Sequence, residues 1–65
     1  MKIHYFDDTD TLYIEFRAAQ VTTTQDLDDD TLLDLDGHGN VVAITMEHAS
    51  ERADIGNLSL EGLVA

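Results

Sequence analysis

Residues 32–47 constrain the fold of this chain more than any other stretch. Two apolar runs, Leu32-Leu33-Asp34-Leu35 and Val41-Val42-Ala43-Ile44-Thr45-Met46-Glu47, flank the polar segment Asp36-Gly37-His38-Gly39-Asn40. Runs of this kind around a short loop with two glycines predict a β-hairpin. Gly37 and Gly39 accept positive φ without strain, while Asp36 and Asn40 favour turns by bonding their own backbone. Alternation puts Leu33 and Leu35 on one face of the first strand, and Val42, Ile44 and Met46 on one face of the second. Fully burying such side chains stabilises a fold by about 1.5 to 3 kcal/mol each, which makes them the main stabilising contribution on offer.

A second hairpin precedes this one. Lys2 to Phe6 reads as a short strand, Asp7-Asp8-Thr9-Asp10 as its turn, and Thr11 to Arg17 as a strand of strict period two. Leu12, Ile14 and Phe16 form the apolar side of that strand; Tyr13, Glu15 and Arg17 form the amphipathic one. Val21 to Thr24 has the β-branched content of a short edge strand. Asp26, Asp28, Asp29 and Asp30 follow within five positions, a crowding that solvent or a cation must relieve. After Glu47 the alternation stops, and His48 to Asp54 reads as a short helix. Ser50 is the expected N-cap and Gly56 the expected left-handed terminator. The tail alternates again, with Leu58 and Leu60 on one side, as an edge strand or as a contact with a second copy. The fold class expected is α+β: a small antiparallel sheet of four to five strands built from two hairpins, with a short C-terminal helix.

Size and charge bound the function. Sixty-five residues allow one domain, and so short a chain buries only about 60% of its unfolded surface. Cysteine is absent, which removes disulfides and thiolate metal sites as substitutes for a core. Self-association is the remaining common route, so a homo-oligomer is expected. Fourteen acidic residues against three basic ones give a net charge of -11. Such a surface repels nucleic acid and anionic membranes, and attracts a basic protein partner. Ten of the fourteen acids are Asp, a bias that also fits an acidic surface adapted to high salt, with no dedicated partner. With no leader-like apolar segment and no run near the ~20 residues of a membrane span, the expected location is cytoplasmic.

Taken in order, the chain resembles the bacterial and archaeal family known as domain of unknown function 2283 (DUF2283). The resemblance lies in the opening Met1-Lys2-Ile3-His4-Tyr5 and in the acidic turn from Asp7 leading to Tyr13-Ile14. It continues through Asp34-Leu35-Asp36 with Gly39, Val41-Val42-Ala43-Ile44, and Glu47 with Ala49-Ser50. It covers residues 1–52 and leaves 53–65 as a C-terminal extension. Antiparallel strands ending in a helix are what it implies, with no established activity. Some members resemble partners of small basic toxin-like proteins, which implies an antitoxin role.

Sharper chemistry is harder to build. Asp34, Asp36, His38 and Gly39 echo the start of a calcium loop, but the twelfth position is Thr45 where a bidentate Glu is required. His4, His38 and His48 lack any metal-ligand spacing. Carboxylate pairs such as Asp7/Asp8 and Asp28/Asp30 sit in turns, without a pocket to separate their pKa values. Gly37 and Gly39 do not lead into a helix, so they make no phosphate cradle. The aromatics Tyr5, Phe6, Tyr13 and Phe16 lack the basic surroundings of a base-stacking platform. The expectation is therefore a non-enzymatic interaction module with no assigned cofactor or metal, the alternatives being a structural homo-oligomer with an acidic surface or a weak metal-binding domain. Asp26, Asp28, Asp29 and Asp30 are the module's acidic rim, and Leu58 and Leu60 act in self-association.

Overall fold

In a computed structural model that describes residues 1–59, 61 and 62, the chain forms one five-stranded antiparallel sheet and a single helical turn. The strands are β1 (Lys2–Phe6), β2 (Thr11–Glu15), β3 (Thr23–Asp28), β4 (Thr31–Leu35) and β5 (Val41–Met46), and α1 is Ala49–Arg52. Their spatial order is β1-β2-β5-β4-β3. Both expected hairpins are present, and β2 pairs with β5 to join them edge to edge. β3 extends the sheet beyond β4.

Register defines two faces, because directly opposed residues of antiparallel strands share one side. Ile3 opposes Ile14, Ile14 opposes Ile44 and Ile44 opposes Leu33. Tyr5, Leu12, Met46 and Thr31 form the next row. These rows make an apolar face, the one the alternation of Leu12, Ile14, Leu33, Ile44 and Met46 predicts. The opposite face is mixed. It carries Lys2, His4 and Phe6 from β1, Tyr13 and Glu15 from β2, Asp34 from β4, and Asp26 from β3. There the His4 and Phe6 rings lie 4.1 Å apart, and Lys2 reaches Glu15 at 3.9 Å.

Among the described residues the fully buried apolar set is small: Val42, Ala43 and Ala49. Leu12, Ile14, Leu33 and Ile44 are half-buried. One layer of sheet has, among the described residues, no second layer to complete the burial of its central side chains. The segment after β2 crosses one end of the sheet to reach β3. Phe16 N–H donates to Val42 O, Thr22 N–H donates to Leu35 O, and Arg17 pairs with Asp36 at 3.4 Å.

Several boundaries differ from the sequence reading. β2 ends at Glu15 rather than Arg17, since Phe16 and Arg17 already begin the crossover. β3 starts at Thr23 and runs through Asp26 and Asp28, so two of the four clustered aspartates are strand residues. A register shift between Asp26 and Asp28 leaves Leu27 59% exposed. The helix is one turn, Ala49–Arg52, rather than the stretch to Asp54. Ser50 lies inside that turn and is not its N-cap; His48 holds that position at φ 54° without a side-chain cap bond. The helix ends through extended Ala53, and Gly56 has no positive φ. Among the described tail residues there is no strand.

The central loop closes around Asp36. Its Oδ1 accepts the N–H of His38 at 2.8 Å and of Asn40 at 2.9 Å, and Asp36 N–H donates to Asn40 O at 3.0 Å. Gly39 alone supplies the positive φ, at 82°; Gly37 stays outside that region.

Candidate interaction surface

Three features of this sheet can meet another molecule: a tied-down end carrying several acids, an open acidic edge, and the apolar face with its groove. The tied-down end gathers the β1–β2 turn, the β3–β4 turn and α1. Asp10 adopts φ 52° and anchors the helical turn from forty residues away. Its carboxylate accepts the Ser50 N–H at 3.0 Å and the Ser50 hydroxyl at 2.8 Å, while its backbone oxygen accepts the Ala49 N–H at 2.9 Å. The Tyr5 hydroxyl donates to the same carboxylate. That bond from Tyr5, followed by the one from Ser50, holds the Asp10 carboxyl below the usual carboxylate range. The Tyr5 hydroxyl is raised above its ordinary value, chiefly because its proton is held by Asp10.

Arg52 binds the other turn. It donates to Asp30 O at 3.0 Å, Glu47 O at 3.3 Å and Thr31 Oγ1 at 2.7 Å, and reaches Asp28 Oδ2 at 3.5 Å. Asp28 Oδ1 also accepts the Asp30 N–H at 2.8 Å. This backbone bond, then the Thr31 hydroxyl, lowers the Asp28 pKa. Asp36 is lowered in the same way, first by the Asn40 N–H and then by that of His38.

The sequence grouped Asp26, Asp28, Asp29 and Asp30 as one rim, and the structure divides them. Asp28 and Asp30 take part in closing the turn and fastening α1, with His48 Nε2 a further 3.8 Å from Asp30. Asp26 and Asp29 are exposed and make no side-chain hydrogen bond or ion pair among the described residues. All six residues of β3 are exposed, and its outer side has no neighbouring strand among the described residues. The suggested calcium-loop residues do not converge: Asp34 accepts the Thr24 hydroxyl at 2.8 Å and Asp36 faces its own loop. No three His, Asp or Glu side chains gather as a metal site among the described residues.

The groove was not legible beforehand. Ile3, Tyr5, Leu12 and Ile14 form its floor on the apolar face, and Ala53, Asp54, Ile55 and Leu58 form its wall, enclosing about 280 Å³. Leu58 therefore folds back toward its own sheet while remaining 64% exposed. Leu60 lies outside the described residues. Sequence spacing reaches the floor through period two, but the wall follows from where α1 ends. Arg52 and Asp10 were missed as organisers for a related reason, since their partners are distant in the chain.

The five strands and the first residues of α1 coincide with a known family profile. It is described as "Protein of unknown function (DUF2283)" and matches residues 2–50. The chain belongs to the DUF2283 family. As a DUF2283 protein it has its whole five-stranded sheet within the matched span, while Arg52, Ile55 and Leu58 fall after it. No curated protein and no solved structure matches the chain. Among the described residues no helix is long and apolar enough to cross a membrane.

Proposed function

We propose that this DUF2283 protein is a non-enzymatic protein-interaction module whose acidic β3 edge receives a basic partner. The supporting observation is that β3 is exposed along its whole length and carries Asp26, with Asp29 beside it, both unengaged among the described residues. A net charge of -11 attracts a basic protein from a distance and repels nucleic acid. The partner class that fits is a small basic protein such as a toxin-like ribonuclease, whose phosphate-binding surface these carboxylates would occupy. That is an antitoxin-like role.

Capture from native lysate at low salt tests the reading. The wild-type chain retains a strongly basic protein, and the paired variant Asp26→Asn, Asp29→Asn loses most of it. Raising the salt from 50 to 500 mM, roughly a threefold shortening of the Debye length, releases the partner. Recovery of no basic protein, or equal recovery by the paired variant, would overturn the assignment. The acidity would then serve solvation or salt adaptation alone.

A further inference from the structure

The apolar face carries a second proposal, independent of the acidic edge. Its strand positions include Ile3 and Tyr5, Leu12 and Ile14, Ile44 and Met46, Thr31, Leu33 and Leu35, and Thr23 and Gln25, in that order across the sheet. Asp28, opposite Thr31, is the one charged strand position on this face among the described residues, and Arg52 pairs with it. Charge is thus confined to the mixed face, the edges and the turns, in a chain where about one residue in four is charged.

Area indicates how much cover is missing. The chain exposes 4900 Å² at a mass of 7.2 kDa, whereas a compact monomer of that mass exposes about 4100 Å². The radius of gyration is 12.5 Å, against about 10.7 Å for a compact chain of this length. The excess of about 800 Å², summed over the whole chain with its loops and edges, is of the size that one partner contributes to a standard protein interface. The molecule measures 34 × 33 × 17 Å, so its broad dimensions accommodate such an area.

We propose that a second copy of this chain covers the apolar face, packing sheet on sheet into a two-layered homodimer. Neutrality of the face selects a copy over other occupants. Two chains of net charge -11 repel through every acidic surface. The β5–β4 part of this face, bordered by Asp28 (paired with Arg52) and by Asp54 on the groove wall, lets them meet with few carboxylates in the contact. A basic partner would leave its charges unmatched here. Ala53, Asp54, Ile55 and Leu58 wall the β1–β2 side of the face, so two sheets packed about 10 Å apart meet over β5 and β4 and interdigitate Leu33 and Ile44 with their counterparts. The acidic β3 edges stay outside the contact, so this inference and the functional reading fail separately.

Sedimentation equilibrium of the wild-type chain, together with a pair of cysteine variants, tests the dimer. The mass expected at 100 µM is twice the 7.2 kDa of the chain, retained or strengthened at 1 M NaCl because salt screens the repulsion. Leu33 and Leu32 are adjacent, both half-buried in the single chain, and on opposite faces. The thiol of Leu33→Cys should be labelled at least tenfold more slowly than that of Leu32→Cys at 100 µM, with the difference vanishing on dilution. A monomeric mass at 100 µM overturns the proposal, whether or not an apolar small molecule shields Cys at 33. Equal labelling in a dimer, or slower labelling at 32, places the contact elsewhere and also overturns it. The Asp26→Asn, Asp29→Asn variant keeps the dimer mass.

Discussion

Replacing Val42 with Ala probes how this sheet is held together, because Val42 is among the few apolar side chains fully buried within the chain. It is 1% exposed, on the central strand β5, beside the point where Phe16 begins the crossover. The substitution removes two methylene equivalents at about 0.8 kcal/mol each, roughly 1.6 kcal/mol of lost transfer energy. Incomplete collapse of the space left behind raises the total to about 2 kcal/mol. A chain of this size is stable by only about 3 to 10 kcal/mol in all, so the loss is a large share. It corresponds to a fall in Tm of roughly 15 °C for so small a domain. Urea unfolding followed by far-UV circular dichroism at fixed protein concentration measures it, with an unchanged m-value showing that only stability moved. Leu58→Ala is the control: at 64% exposure it should cost under about 0.5 kcal/mol. If Val42→Ala costs no more than the control, the centre of β5 is not the stabilising core and the reasoning fails.

Other consequences follow from the loop and the tied-down end. Gly39→Ala should cost about 1 to 2 kcal/mol in urea unfolding, because its φ of 82° penalises a Cβ although the surrounding space is open. Gly37→Ala should be nearly neutral, since its Cβ would meet Thr22 Oγ1 at an ordinary 3.6 Å. The carboxyls of Asp10, Asp28 and Asp36 are lowered in the folded chain, so they contribute stability above the unfolded carboxyl pKa of about 4 and lose it as pH falls through their lower folded values. Wild-type Tm should therefore decline below about pH 4, and the deficit of Asp36→Asn relative to wild type should shrink over the same range. Tyr5→Phe should raise the Asp10 titration midpoint toward the ordinary carboxylate value, read by carboxyl-carbon NMR; no movement would show that the Tyr5 bond is not its main cause.

Alternation of side chains along the chain was enough to define most of this protein. It placed β1, β2, β4 and β5, the loop at Asp36–Asn40 and the apolar rows of Leu12, Ile14, Leu33, Ile44 and Met46. Strand periodicity is local, and in a sheet with one apolar side it leaves little freedom in register. Charge and composition likewise defined the exterior. What the tertiary structure decided depends on residues brought together from afar. Asp10, rather than Ser50, secures α1, because a left-handed turn forty residues earlier aims its carboxylate there. Arg52 divides the aspartate cluster by drawing Asp28 and Asp30 into its own network, leaving Asp26 and Asp29 exposed. The pairing of β2 with β5 joins two hairpins into one broad sheet rather than stacking one on the other. That choice leaves a largely apolar side half-open, because backbone hydrogen bonding can extend a sheet sideways but cannot cover its face.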